Sequence, residues 1–171
     1  MNQRLKKKTK TLICSFFIML LALTAVTACA SKEKESGSTA KAGQYQNDAG
    51  DLVIPVNEIS NTASFYPVTA DGTKMEVLAV KAPDGTIRTA FNTCQVCYGS
   101  GKGYYKQDGD LLVCQNCGNR FSMDLVEVEA GGCNPWPIFD KDKTVTEESI
   151  TIPSNFLKES EQIFANWKTS N

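Results

Sequence analysis

Apolar and polar positions change their rhythm several times along the chain. Thr11 to Ala30 carries no charge and has an apolar heart at Leu12–Leu23. Ser31 to about Asn47 is the reverse: Lys, Glu, Ser, Gly, Ala and Gln with almost nothing to bury, the composition of a solvated, flexible tether. From Asp51 onward, short apolar runs alternate with turn residues. Asp51–Pro55, Ala63–Val68, Met75–Val80 and Ile87–Phe91 read as strands, separated in part by the turns Ala70-Asp71-Gly72-Thr73 and Pro83-Asp84-Gly85-Thr86. Tyr104–Lys106 and Leu111–Val113 flank Gln107-Asp108-Gly109-Asp110 and predict a hairpin. Ser149–Ile152 reads as a last strand. After Pro153 the period lengthens: Phe156, Leu157, Ile163, Phe164 and Trp167 fall on one face at helical spacing, and Ser154 stands where it can cap the free amides. The expected fold is mostly β with a C-terminal helix (α+β), a small antiparallel sheet on which that helix packs.

The start of the chain adds a compartment. Arg4, Lys6, Lys7, Lys8 and Lys10 precede the apolar run, and small residues follow it, the anatomy of a secretory signal. The apolar run is shorter than the roughly 18–20 residues that a spanning helix requires. The string Val26-Thr27-Ala28-Cys29 resembles the lipobox of bacterial lipoproteins. That resemblance implies removal of residues 1–28, acylation of Cys29 on sulfur with a palmitate-type chain, and lipid anchoring at the extracytoplasmic face of the cell membrane. Residues 29–47 then form the lipid-anchored tether, and 48–171 one exported domain. Cys14, within the apolar run, reads as a small apolar residue.

Without residues 1–28 the chain keeps 13 basic and 19 acidic residues, a formal charge of −6, which argues against nucleic acid or anionic lipid as a partner. The sequence contains no histidine. This excludes a Ser-His-Asp triad, a Cys-His nucleophile, a His-based zinc hydrolase, His-ligated haem and a Rieske centre. No phosphate-binding Gly-rich loop is present. No conventional catalytic constellation is visible, so a redox carrier fits better than a catalyst.

The chemistry concentrates in the cysteines. Cys94-Gln-Val-Cys97 is followed after sixteen residues by Cys114-Gln-Asn-Cys117, and after fifteen more by Cys133 in Gly131-Gly132-Cys133-Asn134-Pro135. Two intervening residues let the chain fold into a tight knuckle whose sulfurs face one point, and the hairpin between the pairs brings the knuckles together. Four thiolates at such spacing suit zinc, a single iron or an iron–sulfur cluster. A rubredoxin- or zinc-ribbon-like double knuckle follows. Gly118, and Gly99 two residues past Cys97, are placed to turn the chain away with positive φ, while Tyr98 occupies the position where a glycine usually follows the first pair. An exported chain also admits disulfides within the pairs. Cys133 can replace one of the four ligands, add a fifth near a second metal, or present a thiol at an exposed edge. A thiol–disulfide enzyme ranks last, because only Lys102, Lys106 and Arg120 could lower a thiol pKa here.

The run Ala90-Phe91-Asn92-Thr93-Cys94-Gln-Val-Cys97, then Gly103-Tyr104-Tyr105, Leu112-Val113-Cys114-Gln-Asn-Cys117-Gly118-Asn-Arg-Phe121 and Gly131-Gly132-Cys133-Asn134-Pro135, resembles the FtrD-like membrane iron–sulfur proteins. The likeness is dense over about Ile87 to Ile138. It implies a membrane-associated protein with iron or an iron–sulfur cluster on Cys94, Cys97, Cys114, Cys117 and, as the fifth position, Cys133. It also implies a partner in an iron-permease uptake system or another redox protein. Asn92 departs from the resemblance, since an acidic residue is expected there. On this reading the domain transfers electrons or handles iron, and Phe91, Tyr98, Tyr104, Tyr105, Phe121 and Trp136 form an aromatic shell that tunes the centre. The alternative is a structural zinc ribbon that docks a membrane partner.

Overall fold

Met75–Val80 is apolar at every position except Glu76, and a strand can hold such a run only when both its faces are covered. The computed structural model describes residues 38–169, so Cys14, the expected signal segment and Cys29, the expected lipid-attachment residue, lie outside the described residues. In it that run forms most of β4 (Thr73–Lys81), in the middle of a five-stranded sheet. Its neighbours are β3 (Ser64–Ala70) and β5 (Ile87–Cys94), both antiparallel. The sheet is completed by β1 (Ser38–Thr39), parallel to β3, and β9 (Pro135–Pro137), antiparallel to β5. Two three-stranded antiparallel sheets accompany it. One is β10 (Thr144–Val145), β11 (Ser149–Ile152) and β2 (Leu52–Pro55). The other is β6 (Tyr105–Asp108), β7 (Leu111–Cys114) and β8 (Arg120–Ser122). The fold is mostly β with a short C-terminal helix, as expected.

The central sheet divides the interior into two cores. Met75, Val77 and Ala79 of β4 and Phe91 of β5 pack with Leu52, Ile54, Ile150, Ile152, Leu157 and Phe164. The alternate residues Leu78, Val80 and Ala90 pack instead with Tyr105, Leu112, Phe121 and the buried cysteines Cys94, Cys97 and Cys114. Period-two alternation along β4 and β5 therefore sends one set of side chains to the helix side and the other to the cysteine side. Phe91, expected in the aromatic shell of the cysteines, belongs to the first core, where it stacks on Phe156 at 5.7 Å.

The helix is shorter than its pattern predicts. α1 spans Ser154–Glu159, and a 3-10 turn at Glu161–Phe164 replaces its continuation. At the break the Ser160 hydroxyl donates to the Phe156 carbonyl (2.9 Å), a back-bond that bends helices. The apolar side chains keep their place against the first core despite the change of path. Ser154 does not cap: its own amide donates to Asp51 Oδ1 at 2.8 Å, so the cap comes from a residue far away in sequence. Within the stretch expected as tether, Ser38–Thr39 pairs with β3, and the Gln46 side-chain amide both donates to and accepts from the backbone of Thr69. Among the described residues no helix is long and apolar enough to cross a membrane.

Candidate metal centre

β5 ends at Cys94, fully buried, and a bulge between Phe91 and Cys94 sets Cys94 opposite Pro135 of β9. This register brings Cys133, two residues ahead of Pro135, to the first knuckle across a long separation in sequence. Within that knuckle the Cys97 amide points at Cys94 Sγ (3.4 Å), and the Ser100 amide and hydroxyl both donate to the Cys97 carbonyl (2.9 and 2.7 Å). The Cys94 amide donates to the carbonyl of Gly103 (2.6 Å). Gly103 is required by close approach, because a Cβ there would lie 2.3 Å from the Cys97 oxygen. The chain leaves the knuckle through a 3-10 turn at Tyr98–Ser100, and the positive φ falls on Gly101 (+78°) instead of Gly99. Tyr98 after the pair delays the reversal to the end of that turn.

The second knuckle follows the expected form. β7 ends at Cys114, its carbonyl accepts from the Gly118 amide (2.9 Å), and Gly118 carries φ +74°. The Gln115 amide donates to the Tyr104 carbonyl (2.8 Å), which ties this knuckle to the strand that leads away from the first.

The Cys133 loop is held by side chains. Gln95, inside the first pair, donates from its backbone to Asn134 O (3.1 Å) and from Nε2 to Pro135 O (3.1 Å), and its Oε1 accepts from the Gly131 amide (3.0 Å). The Cys133 carbonyl accepts from the Tyr105 hydroxyl (2.6 Å) and from Asn119 Nδ2 (3.0 Å). The spacing of the cysteines gave no sign of these three anchors. Tyr105 was expected in the aromatic shell of the centre; that its hydroxyl holds the Cys133 carbonyl is visible only in the structure.

The five thiols gather, and among the described residues none forms a disulfide. Their sulfurs make two trios, Cys94–Cys97–Cys114 and Cys97–Cys117–Cys133, each with all separations within 4.8 Å. The first trio is buried; in the second, Cys133 is half-buried and Cys117 exposed. Two thiolates on one tetrahedral ion, at a metal–sulfur distance of about 2.3 Å, lie about 3.8 Å apart. The donor set is sulfur alone, which selects soft or borderline metals over calcium or magnesium.

Electrostatics differ among the five. Burial pushes the Cys94 thiol up, but hydrogen bonds from Tyr105 and the amides of Cys97 and Val96 outweigh it, and the net shift is downward. Cys117 is also lowered, chiefly by the Asn119 amide and then by neighbouring thiols. Burial pushes Cys114 up to about 12 against the amides of Cys117 and Asn116. Cys133 is pushed up to about 12, first by its hydrogen bond with Cys117. Burial raises Cys97 as well. Hydrogen-bond donors thus lower one thiol of each knuckle, Cys94 and Cys117. Tyr105, raised by burial and then by Cys94, remains a hydrogen-bond donor.

Around the sulfurs, Tyr105 and Phe121 line the cysteine core. Tyr98 meets Trp136 edge-on at 6.1 Å, but Trp136, expected in the aromatic shell of the cysteines, packs against the first core, as Phe91 does. Tyr104 instead carries the Lys168 ammonium over its ring at 5.2 Å. Asn92 is buried at the base, accepting from the Tyr105 amide (2.7 Å) and donating to Glu76 Oε1 (2.6 Å). The acidic group expected at position 92 is thus supplied from the neighbouring strand.

No curated protein and no solved structure matches the chain. Residues 56–164, which include both knuckles, the Cys133 loop and most of both cores, match the family model described as "Membrane iron-sulfur containing protein FtrD-like", and the chain belongs to that family.

Proposed function

We propose that this chain is a lipid-anchored extracytoplasmic protein that holds iron, alone or as an iron–sulfur cluster, on cysteine thiolates and serves an iron-permease system by electron transfer or iron handling. The observation that carries the reading is the convergence of five thiols, from two knuckles and one loop, at the end of β5 and β7. The family description, with its membrane and iron–sulfur terms, supports the same reading. The ligand candidates are Cys94, Cys97, Cys114, Cys117 and Cys133. Bound iron would supply a one-electron change. The chain's own residues do the rest. Amides of the two knuckles donate toward sulfur, which would stabilise negative charge there and tune the potential. Leu78, Leu112 and Phe121 keep water from the buried sulfurs. Cys117 and Cys133 form the edge nearest solvent, where an electron or an ion would pass to a partner. Acylated Cys29 and the segment that follows it would keep that edge near a membrane permease.

A structural zinc ribbon is the second reading, favoured by sulfur separations short enough for a single tetrahedral ion. One experiment separates the two. The protein is purified without oxygen, and its metal content and visible absorption are recorded before and after dithionite. Iron with thiolate charge-transfer bands that bleach on reduction is the expected result. A colourless zinc protein, unchanged by reductant, would sink the redox reading.

A further inference from the structure

We infer that the ion pair of Glu76 and Lys168, set beside the first knuckle, fixes the reduction potential of the cysteine centre through the balance of its two charges. The inference rests on the reading that the cysteines hold iron, and it adds two residues outside the cysteine set to what governs that iron.

Glu76 has an unusual place. It is the one polar residue in Met75–Val80, and among the described residues it is the only buried carboxylate. Period-two alternation along β4 puts it on the face of Leu78 and Val80, which pack in the cysteine core. Asn92, two residues ahead of Cys94, donates from Nδ2 to Glu76 Oε1 (2.6 Å) and to the Tyr105 carbonyl (3.2 Å). Its Oδ1 accepts from the Tyr105 amide (2.7 Å). One side chain thus links the carboxylate to the strand that ends in Cys94 and to the residue whose hydroxyl holds the Cys133 carbonyl.

The counterion comes from the far end of the chain. Lys168 Nζ donates to both Glu76 oxygens (3.1 and 3.3 Å) and lies over the rings of Trp167 (4.2 Å) and Tyr104 (5.2 Å). Its backbone takes φ +53°, a left-handed conformation that a residue with a side chain adopts rarely and keeps only where its neighbours fix it. Trp167 Nε1 donates to the Asn92 carbonyl (2.7 Å), and Asn166 Nδ2 to the Gly99 carbonyl (3.2 Å). The segment that carries the cation is therefore fastened to the first knuckle. Among the described residues Lys168 is the single cation paired with Glu76.

Stability alone does not account for such a pair, because well-packed apolar residues of the same volume stabilise an interior at least as well. Its field has a separate effect. Reduction adds one electron to the centre, and charges in a poorly solvated interior act on it more strongly than charges in water. With both partners present the pair is close to neutral. Glu76 alone opposes the added electron, and Lys168 alone favours it.

The test uses the full chain in detergent, purified without oxygen and titrated in a spectroelectrochemical cell at fixed pH, with the thiolate-to-iron bands reporting the reduced fraction. Lys168→Met should lower the potential and Glu76→Gln should raise it. Each shift should be roughly a tenfold change in the reduction equilibrium, about 59 mV for one electron. Glu76→Gln keeps an oxygen that accepts from Asn92, and Lys168→Arg, which keeps the cation, should stay at the parent value. The double variant Glu76→Gln with Lys168→Met should return close to it. A merely structural role predicts something else, since both single variants loosen the same contacts and move the potential in one direction. Shifts of the same sign, or no shift in either, overturn the inference and leave the iron reading intact. If melts show that Lys168→Met does not fold, Glu76→Gln still decides, because an unchanged or lowered potential there contradicts the inference. A folded chain that holds no iron, or iron that no reductant changes, overturns the underlying reading itself.

Discussion

Asp51 stands just before β2 and closes the start of α1. Its carboxylate accepts from the Ser154 amide and from Asn47 Nδ2, and these bonds, the amide first, hold its pKa below the ordinary carboxylate value. A carboxyl depressed in the folded state stabilises that state above its unfolded pKa, and the contribution is lost as pH falls through the folded one. Asp51→Ala should therefore melt below the parent at neutral pH, with the gap closing as pH is lowered from about 4. Thermal melts across that range check it, and a gap that persists in acid contradicts the cap. The same residue marks where local pattern reading stops. Ser154 has the right chemistry and position for a cap, yet the acceptor comes from 103 residues away. Cysteine spacing was legible because two residues between ligands impose a local geometry. Gln95 and the Tyr105 hydroxyl were not, because their partners lie 36 and 28 residues distant.

Among elements, the segment from Glu127 to Lys143 shows how a loop is fastened at both ends. Lys143 Nζ donates to Glu127 Oε1 (2.6 Å), to Thr89 Oγ1 (3.0 Å) and to Ile138 O (3.0 Å), and Glu127 Oε2 accepts from the Thr89 amide (2.9 Å). The Lys143 side chain is 1% exposed and that of Glu127 13%. Removing one partner of such a pair leaves a charge with no counterion, at a cost of about 3–5 kcal/mol. Lys143→Met should lower stability by about that amount, and adding Glu127→Leu should restore most of it. Urea denaturation of both variants is the check; a single variant as stable as the parent would show that the pair holds nothing. Strands with four or more apolar or alternating residues between turn signals were readable from the sequence, as was the β6–β7 hairpin. The strands β8, β9 and β10 were not, because two or three residues carry too little pattern and owe their extension to the strands beside them. The two-sided burial of β4 was written in the apolar run Val77–Val80, but which residues face which core became visible only with the sheet order.

At the scale of the whole molecule, one core is sealed by hydrocarbon and the other is built partly of sulfur. On the metal-binding reading, chelation should loosen them unequally, since metal affinity is largely folding energy on the side that holds the ligands. Hydrogen exchange after chelation should accelerate in β6, β7, β8 and the Cys133 loop before it does in β2 and β11. Uniform acceleration would mean that the two cores unfold as one. The pairing of Cys94 with Pro135 carries a further consequence. On the metal-binding reading, an ion spanning Cys97 and Cys133, whose sulfurs share one trio, would be a removable cross-link that closes a ring of about 37 residues. Counted as a disulfide of that span, it restricts the unfolded chain by about 4 kcal/mol. Such a protein would be its own gauge of supply: molecules that find metal would be cross-linked and long-lived, while those that do not would open more often and be exposed to proteolysis.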